Sequence, residues 1–429
     1  MVYASESSLY LASRSGTNSK LLARFDPRRG QRAYWLRWSA DGQTIRFSLY
    51  DGSTHSNSLW EISMHGGEPH RILWDEKAHH DRCCGTWTAD GRYYLFVSSD
   101  DGRNDIWAAP TKPGVIARLK HSVEPIQLTA GPLSYSAPEP SQDGEKIFVI
   151  GEARRGELVR FDTTAGNFEP FAAGISASQA DFSRDGKRLV FVSFRDGSLW
   201  QSRIDGTERT QLSFPPLKTA SPRWSPDGTR VAFFGHLPDE PTAVYISSGH
   251  GGEARKLVSR KDHDQMDPDW STDGQKLVFS DTFRTEQTSV IKIFDFKTGE
   301  TSAVAGSSGL RSPRWSPDGR YIAALTTDLS RLMLYDFMTN GWAQLASFRM
   351  GYPNWSHDSK YIYLVNLANG AGICRVRLGD GRIEPIVDMT RRNQYWTNDA
   401  WLGLTPQDAP LLSRDISIQQ IFALHWTVK

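Results

Sequence analysis

Two short stretches concentrate the residues best equipped for chemistry. The first is His79-His80-Asp81-Arg82-Cys83-Cys84. A zinc ion wants four nitrogen or sulfur donors in a tetrahedron. Adjacent residues of one loop rarely converge on one ion, and no second cysteine pair follows, since the chain has only 3 cysteines. His79, His80 and Asp81 are therefore weak metal candidates. The plainer reading is a polar loop leading to two small buried thiols; a vicinal disulfide between Cys83 and Cys84 is a third. The second stretch, Asp262-His263-Asp264-Gln265-Met266-Asp267-Pro268-Asp269, crowds four carboxylates together. Oxygen-rich loops hold Ca²⁺, which makes Asp262, Asp264 and Asp267 candidates. The glycine that a calcium-binding helix-loop-helix needs at its sixth loop position is missing, so a solvated acidic loop is the favoured reading. The cofactor expectation is none, with Ca²⁺ the single exception considered.

Covalent catalysis lacks its usual signature. No Gly-x-Ser-x-Gly elbow occurs, and no alternating helix-strand segment is large enough to host one. Bulk electrostatics exclude another class. With 50 Lys+Arg against 49 Asp+Glu, the chain lacks the positive excess by which nucleic-acid modules bind phosphates. Hydrophobic residues at 38% and charged residues at 23% describe a folded chain rather than a disordered one. Three cysteines, an odd number, make no disulfide framework. No stretch approaches the ~20 apolar residues of a membrane span, and Met1-Val-Tyr-Ala-Ser-Glu has no secretory h-region. A cytoplasmic location is expected, or a periplasmic one if an upstream segment has been removed.

The elements that must position these residues are announced by a repeat. An aromatic followed by Ser/Thr-x-Asp-Gly recurs from Trp38 through Trp87, Phe182, Trp224, Trp270 and Trp315 to Trp355, where Ser359 replaces the glycine. Degenerate copies stand at Pro140-Ser-Gln-Asp143 and at Trp401 with Thr405-Pro406-Gln-Asp408. The spacing, roughly 40 to 50 residues, is that of a propeller blade. Ser, Pro, Asp and Gly in this order suit a type I turn closing a hairpin. Apolar runs of strand length follow, such as Leu189-Val-Phe-Val and Leu277-Val-Phe-Ser. A second aromatic strand and a Gly turn come next, as at Leu59-Trp60 and Gly66-Gly67. Each unit thus reads as a four-stranded meander that buries both faces only in a ring of its kind.

An all-β propeller of four-stranded antiparallel blades is predicted over 1–429 as a single domain of eight or nine blades. Residues 1–36 and 400–429 are expected to close it, with 1–22 pairing with the strands after Trp401. Pro110 to Glu124 is the best candidate for an inserted loop. The residue before each anchor is often charged or polar: Arg37, Asp181, Arg223, Asp269, Arg314 and Asn354. These positions would ring a channel mouth, either as ion pairs between blades or as receivers of an anionic or peptide ligand. Both histidine- and aspartate-rich loops precede a first strand, so a propeller would put them on one face.

The Trp-Ser-Pro-Asp-Gly anchors resemble those of the TolB-like, WD-repeat-like bacterial β-propellers. Cys83-Cys-Gly-Thr-Trp-Thr, Gly156-Glu-Leu-Val-Arg-Phe-Asp, Pro313-Arg-Trp-Ser-Pro-Asp-Gly-Arg and Arg414-Asp-Ile-Ser-Ile-Gln-Gln-Ile-Phe-Ala-Leu are similar to the propeller behind winged-helix (CadC-like) regulators. That resemblance spans essentially the whole chain, although the winged helix itself is absent. It implies a sensory or scaffold propeller that binds a protein, peptide or small ligand, with no direct nucleic-acid binding. The alternative is a propeller enzyme, or a hydrolase-associated propeller, with a metal in its channel.

Overall fold

The computed structural model describes all residues except 55, 74–80, 101–102, 112–124, 173, 239, 259, 287, 369–371, 391–400 and 427–429. His79 and His80, and most of the expected insertion, lie outside the described residues. Everything else is antiparallel sheet joined by turns, apart from one 3₁₀ turn at Pro27–Arg29. Among the described residues, no helix is long and apolar enough to cross a membrane. The described residues form ten sheets, eight of four strands and two of three. The chain builds two compact units: 1–154 with 417–429, and 155–416.

The repeat acts locally first. In each turn the serine or threonine hydroxyl donates to the aspartate, as from Ser225 to Asp227 at 2.5 Å and from Ser271 to Asp273 at 2.6 Å. The same carboxylate oxygen accepts the backbone N–H two residues on, Thr229 and Gln275 in these cases. The glycine then turns left-handed, with φ near 68° at Gly274 and 69° at Gly228. A side chain is strained in that region. The degenerate copy at Ser141-Asp143 makes the same hydroxyl–carboxylate contact.

The unit 155–416 is a ring of six blades. Blade 1 is built from both ends of the unit: Gly403–Leu404 and Pro410–Asp415 pair with Gly156–Asp162 and Asn167–Pro170. Blades 2 to 6 run consecutively and begin with Ala177–Phe182, Lys218–Trp224, His263–Trp270, Leu310–Trp315 and Met350–Trp355. These first strands, with Gly403–Leu404, touch in the cyclic order of the blades and return to the start. Blades 3 and 6 therefore face each other across the axis. The core lies between successive sheets. Trp355, Leu364 and Val376 of blade 6, for example, pack with Leu325 and Leu332 of blade 5. Closure is reinforced where His357 Nδ1 of blade 6 meets Asp408 Oδ1 of blade 1 at 2.5 Å.

The other unit carries four sheets. They are Val2–Arg24 with three strands, Arg32–Arg71, Asp81–Gln127, and a three-stranded sheet in which Ile418–His425 pairs with Lys146–Ala153.

The all-β propeller expectation holds, and C-terminal strands do close the ring. Two details differ. Strands 2–5, 8–11 and 20–24 pair only among themselves, so residues 1–22 are not the partners of the strands after Trp401. Those partners lie at residues 146–162, where unpaired strands await them. The sheet count also exceeds eight or nine. Each of the nine anchors opens a sheet, and a tenth, 2–24, forms without an anchor strand.

Candidate functional site

Every first strand that carries an anchor tryptophan is bulged three residues before it. Trp35, Cys84, Ser221, Asp267, Ser312 and Tyr352 occupy φ between 47° and 59°, and Ala137 matches them ahead of Pro140. The ladder register shifts at each. Non-glycine residues pay for this conformation, and it persists where surroundings impose it. Here the preceding blade supplies the restraint. Ser221 N–H donates to Gln179 Oε1 at 2.6 Å, Ser312 N–H to Ser280 Oγ at 2.8 Å, and Cys84 N–H to Ser48 Oγ at 2.8 Å. Past the bulge, the position before the anchor reaches other blades: Asp181 and Asp269 the next one, Arg223 also the opposite one.

In the six-bladed unit these positions alternate in charge: Asp181, Arg223, Asp269, Arg314, then Asn354. Each aspartate accepts the backbone N–H of the next blade's tryptophan, Asp181 from Trp224 at 2.7 Å and Asp269 from Trp315 at 2.8 Å. Each arginine strand returns a carbonyl to the following blade: Trp270 Nε1 donates to Arg223 O at 3.1 Å and Trp355 Nε1 to Arg314 O at 3.0 Å. Arg223 then joins three blades. Its guanidinium lies 3.5 Å from Asp181 and 3.8 Å from Asp269, and it donates to Asn354 Oδ1 at 3.0 Å. Asn354 stands on the opposite blade and passes its own amide N–H to Leu402 O of blade 1 at 2.9 Å. All six blades thus meet in one polar network at the axis.

Arg314 is only 5% exposed. It donates to Pro313 O at 2.8 Å and Asp267 O at 3.3 Å, and its guanidinium is 3.8 Å from the Asp267 carboxylate. Burial, with Arg223 nearby, lowers it to about 10, so it stays protonated at neutral pH. Burial likewise pushes the carboxyls of Asp181 and Asp269 above the usual range, and Arg223 opposes that rise. The arginines are therefore committed to neighbouring blades.

The other candidates fall elsewhere. Arg37 belongs to the unit containing residues 1–154, where its guanidinium sits 5.0 Å from the Trp35 ring centre. Asp81 accepts the Asn57 N–H at 2.5 Å, capping the neighbouring sheet. Cys83 and Cys84 are joined as a vicinal disulfide. The aspartate-rich stretch is not a loop but the first strand of blade 4, and its acids are spent separately. Asp264 accepts the Thr242 N–H at 2.8 Å and pairs with Arg284 at 3.4 Å. Asp267 accepts the hydroxyls of Ser312 at 2.7 Å and Ser221 at 3.2 Å. Asp262 lies 3.8 Å from His263 Nε2. Strand alternation and the bulge send them apart, and among the described residues no group of three or more His, Cys, Asp or Glu converges. Of the anchors, Trp224, Trp270, Trp355 and Trp401 are buried, whereas Trp38, Trp87, Phe182 and Trp315 are half-buried.

The sequence reading missed the bulges and the acceptors Gln179 and Ser280. One signal was present: in blades 3 to 6 the anchor follows X-Pro-polar, as Ser221-Pro222-Arg223 and Asp267-Pro268-Asp269.

No family model matches the chain. Over 214 residues it is 27% identical to "Uncharacterized peptidase YuxL" of Bacillus subtilis, a match covering 45% of this chain and 30% of that protein. Over 143 residues it is 29% identical to a "Protein TolB homolog" of Chlorobium luteolum, covering 32% and 31%. The chain thus spans less than a third of the length of these relatives. Among solved structures, a putative TolB from Agrobacterium tumefaciens aligns with TM-score 0.49 and 16% identity over 61% of this chain and 99% of that one. TolB from Acinetobacter baumannii aligns with TM-score 0.42 and 14% identity over 91% and 81%.

Proposed function

We propose that this TolB-like β-propeller is a non-catalytic recognition module. It binds a protein, peptide or small ligand on the face of the six-bladed ring where the first strands open. The observation that carries this reading is the contact between Arg223 and Asn354 across the axis. It ties opposite blades together, so the channel mouth is a rigid, polar floor rather than a passage. Rigid scaffolds presenting loops are what this fold offers to partners. A ligand at the mouth would meet groups already paired with one another, which favours a broad polar contact over capture of a lone anion.

Balanced charge argues against DNA as the partner, because affinity at physiological salt needs several uncompensated Lys or Arg. The relatives named as peptidases support a second reading, a propeller that accompanies a hydrolase; their activity is theirs, and the match covers a minor part of each. The test pairs two measurements on the purified chain. Partner capture is compared between wild type, Arg223→Ala and Arg314→Ala, and duplex DNA is titrated against salt. The reading expects a partner whose affinity falls at least tenfold in Arg223→Ala, together with DNA binding too weak to measure. Tight, salt-steep DNA binding would sink it. A partner indifferent to both arginines would move the site away from the axis.

A further inference from the structure

One sheet edge departs from the rule that the others follow. In the unit containing residues 1–154, Ser134–Pro140, Lys146–Ala153 and Ile418–His425 form a sheet of three strands. Ser134–Pro140 stands where other blades carry the anchor strand, so Ile418–His425 is third in order. A four-stranded blade adds its outer strand at that point. Here the eight residues pair with Lys146–Ala153 without a register shift, and their other edge pairs with no strand among the described residues.

A free edge is a template for another strand, and proteins blunt such edges by shortness, charge, proline or a bulge. The outer strands of the other sheets obey this. Six have only two to four residues, as at His70–Arg71 and Arg255–Lys256. Lys20–Arg24 is charged at both ends. Gly341–Ser347 and Ile383–Asp388 are longer, and the ladder register shifts along each. Ile418–His425 has none of these devices: it is long, unbroken, and free of Asp, Glu, Lys, Arg, Pro and Gly.

Its side chains are open as well. Ile418, Gln419, Gln420 and Ile421 are exposed in succession. Ile147 and Val149 of the partner strand are buried against the neighbouring sheet. Strand alternation turns Phe148 and Ile150 the other way. On that face Phe148, 41% exposed, lies opposite Ala423, and Ile150 lies opposite Ile421, 77% exposed. The edge and an apolar strip beside it are thus presented together.

We infer that this edge binds the same edge of a second copy of the chain. The two Ile418–His425 strands run antiparallel about a two-fold axis near Ile421, and each supplies the other's missing fourth strand. Charge favours a second copy as the occupant. Like charges directly opposite on paired strands repel, and a strand without Asp, Glu, Lys or Arg can be laid against itself with no such pair. The contact is isologous, so it uses each edge once and closes at two copies. The inference is independent of the axial network, to which no residue of this strand belongs.

Sedimentation velocity of the whole chain over a range of micromolar concentrations tests it. The expected result is a reversible dimer of twice the 48.2 kDa chain mass. Ile421→Lys brings two like charges together at the axis and should weaken the dimer at least tenfold, without unfolding, since the side chain is exposed. Met338→Lys, at another exposed apolar residue, and Arg223→Ala should dimerise as wild type. Hydrogen exchange followed on the peptide 418–425 should slow as concentration rises in wild type but not in Ile421→Lys. A monomer at every concentration would overturn the inference and leave the edge to a strand from another protein. Growth past the dimer, a dimer indifferent to Ile421→Lys, or exchange at 418–425 that ignores dimerisation would overturn it too. Because the axial reading is tested through Arg223→Ala, failure of one is separable from failure of the other.

Discussion

Arg223 neutralises two half-buried carboxylates and hydrogen-bonds an amide on the far blade, so its loss strands all three. Removing one partner of a buried ion pair costs about 3–5 kcal/mol, because the remaining charge stays desolvated. Because both carboxylates keep part of their surface in water, Arg223→Ala should lose less than that, about 1–3 kcal/mol, in urea unfolding at neutral pH. The pH dependence has a definite sign. Asp181 and Asp269 already titrate above the unfolded value of 3.8, and losing Arg223 raises them further. A group with a raised folded pKa favours folding below its unfolded pKa and loses that contribution as pH rises through the folded one. Acidifying Arg223→Ala from neutral pH toward the carboxylate range should therefore shrink its deficit relative to wild type. A deficit that stays constant across that range would show that the carboxylates do not feel the arginine. At this scale the sequence was informative: the alternation of Asp181, Arg223, Asp269 and Arg314 already suggested ion pairs between blades. The role of Asn354 was not legible, since its partners lie on blades 3 and 1, distant in the chain.

Within a blade, the repeat makes the anchor tryptophans look equivalent, and packing divides them. Trp355 is 8% exposed, with its indole N–H on the Arg314 carbonyl of the previous blade. Trp315 is only half-buried, stacks on Phe337 at 5.2 Å and donates to its own turn at Gly319. Trp355→Ala should cost about 3–5 kcal/mol, the range for large buried aromatics. Trp315→Ala should cost distinctly less. Differential scanning calorimetry of the two variants decides between them, and equal losses would mean that burial at these positions is not what the anchors contribute. The turns were readable because their chemistry is local: hydroxyl, carboxylate and glycine within four residues suffice. The bulges were not, because the accepting groups Gln179 and Ser280 belong to the neighbouring blade.

At the scale of the molecule, the ring 155–416 depends on strands from its two ends. Gly156 packs where a Cβ would meet the Phe194 ring at 2.3 Å and the Ala177 carbonyl at 2.8 Å, so only glycine fits beside blade 2. Deleting residues 403–429 removes half of blade 1 and should leave the sheet edge at Gly156–Asp162 unpaired, giving early melting and aggregation. Deleting residues 1–22 should leave the ring's own melting transition in place, because those strands pair only with one another. Comparing the two deletions by calorimetry and light scattering checks the closure. If loss of 1–22 abolished the ring transition, the pairing described for blade 1 would be wrong.

Sequence alone determined the kind of fold, the turn chemistry and the residues that would face an axis. All of these follow from patterns shorter than one blade, repeated often enough to be unmistakable. Tertiary structure decided which strands close the ring, that six sheets close it, and that the arginines at the axis are already paired. The physical reason is the same in each case. A blade's edges and faces look alike in sequence, so the choice among partners rests on contacts between residues tens to hundreds of positions apart, such as Ser413 Oγ with the Ala177 carbonyl at 2.8 Å.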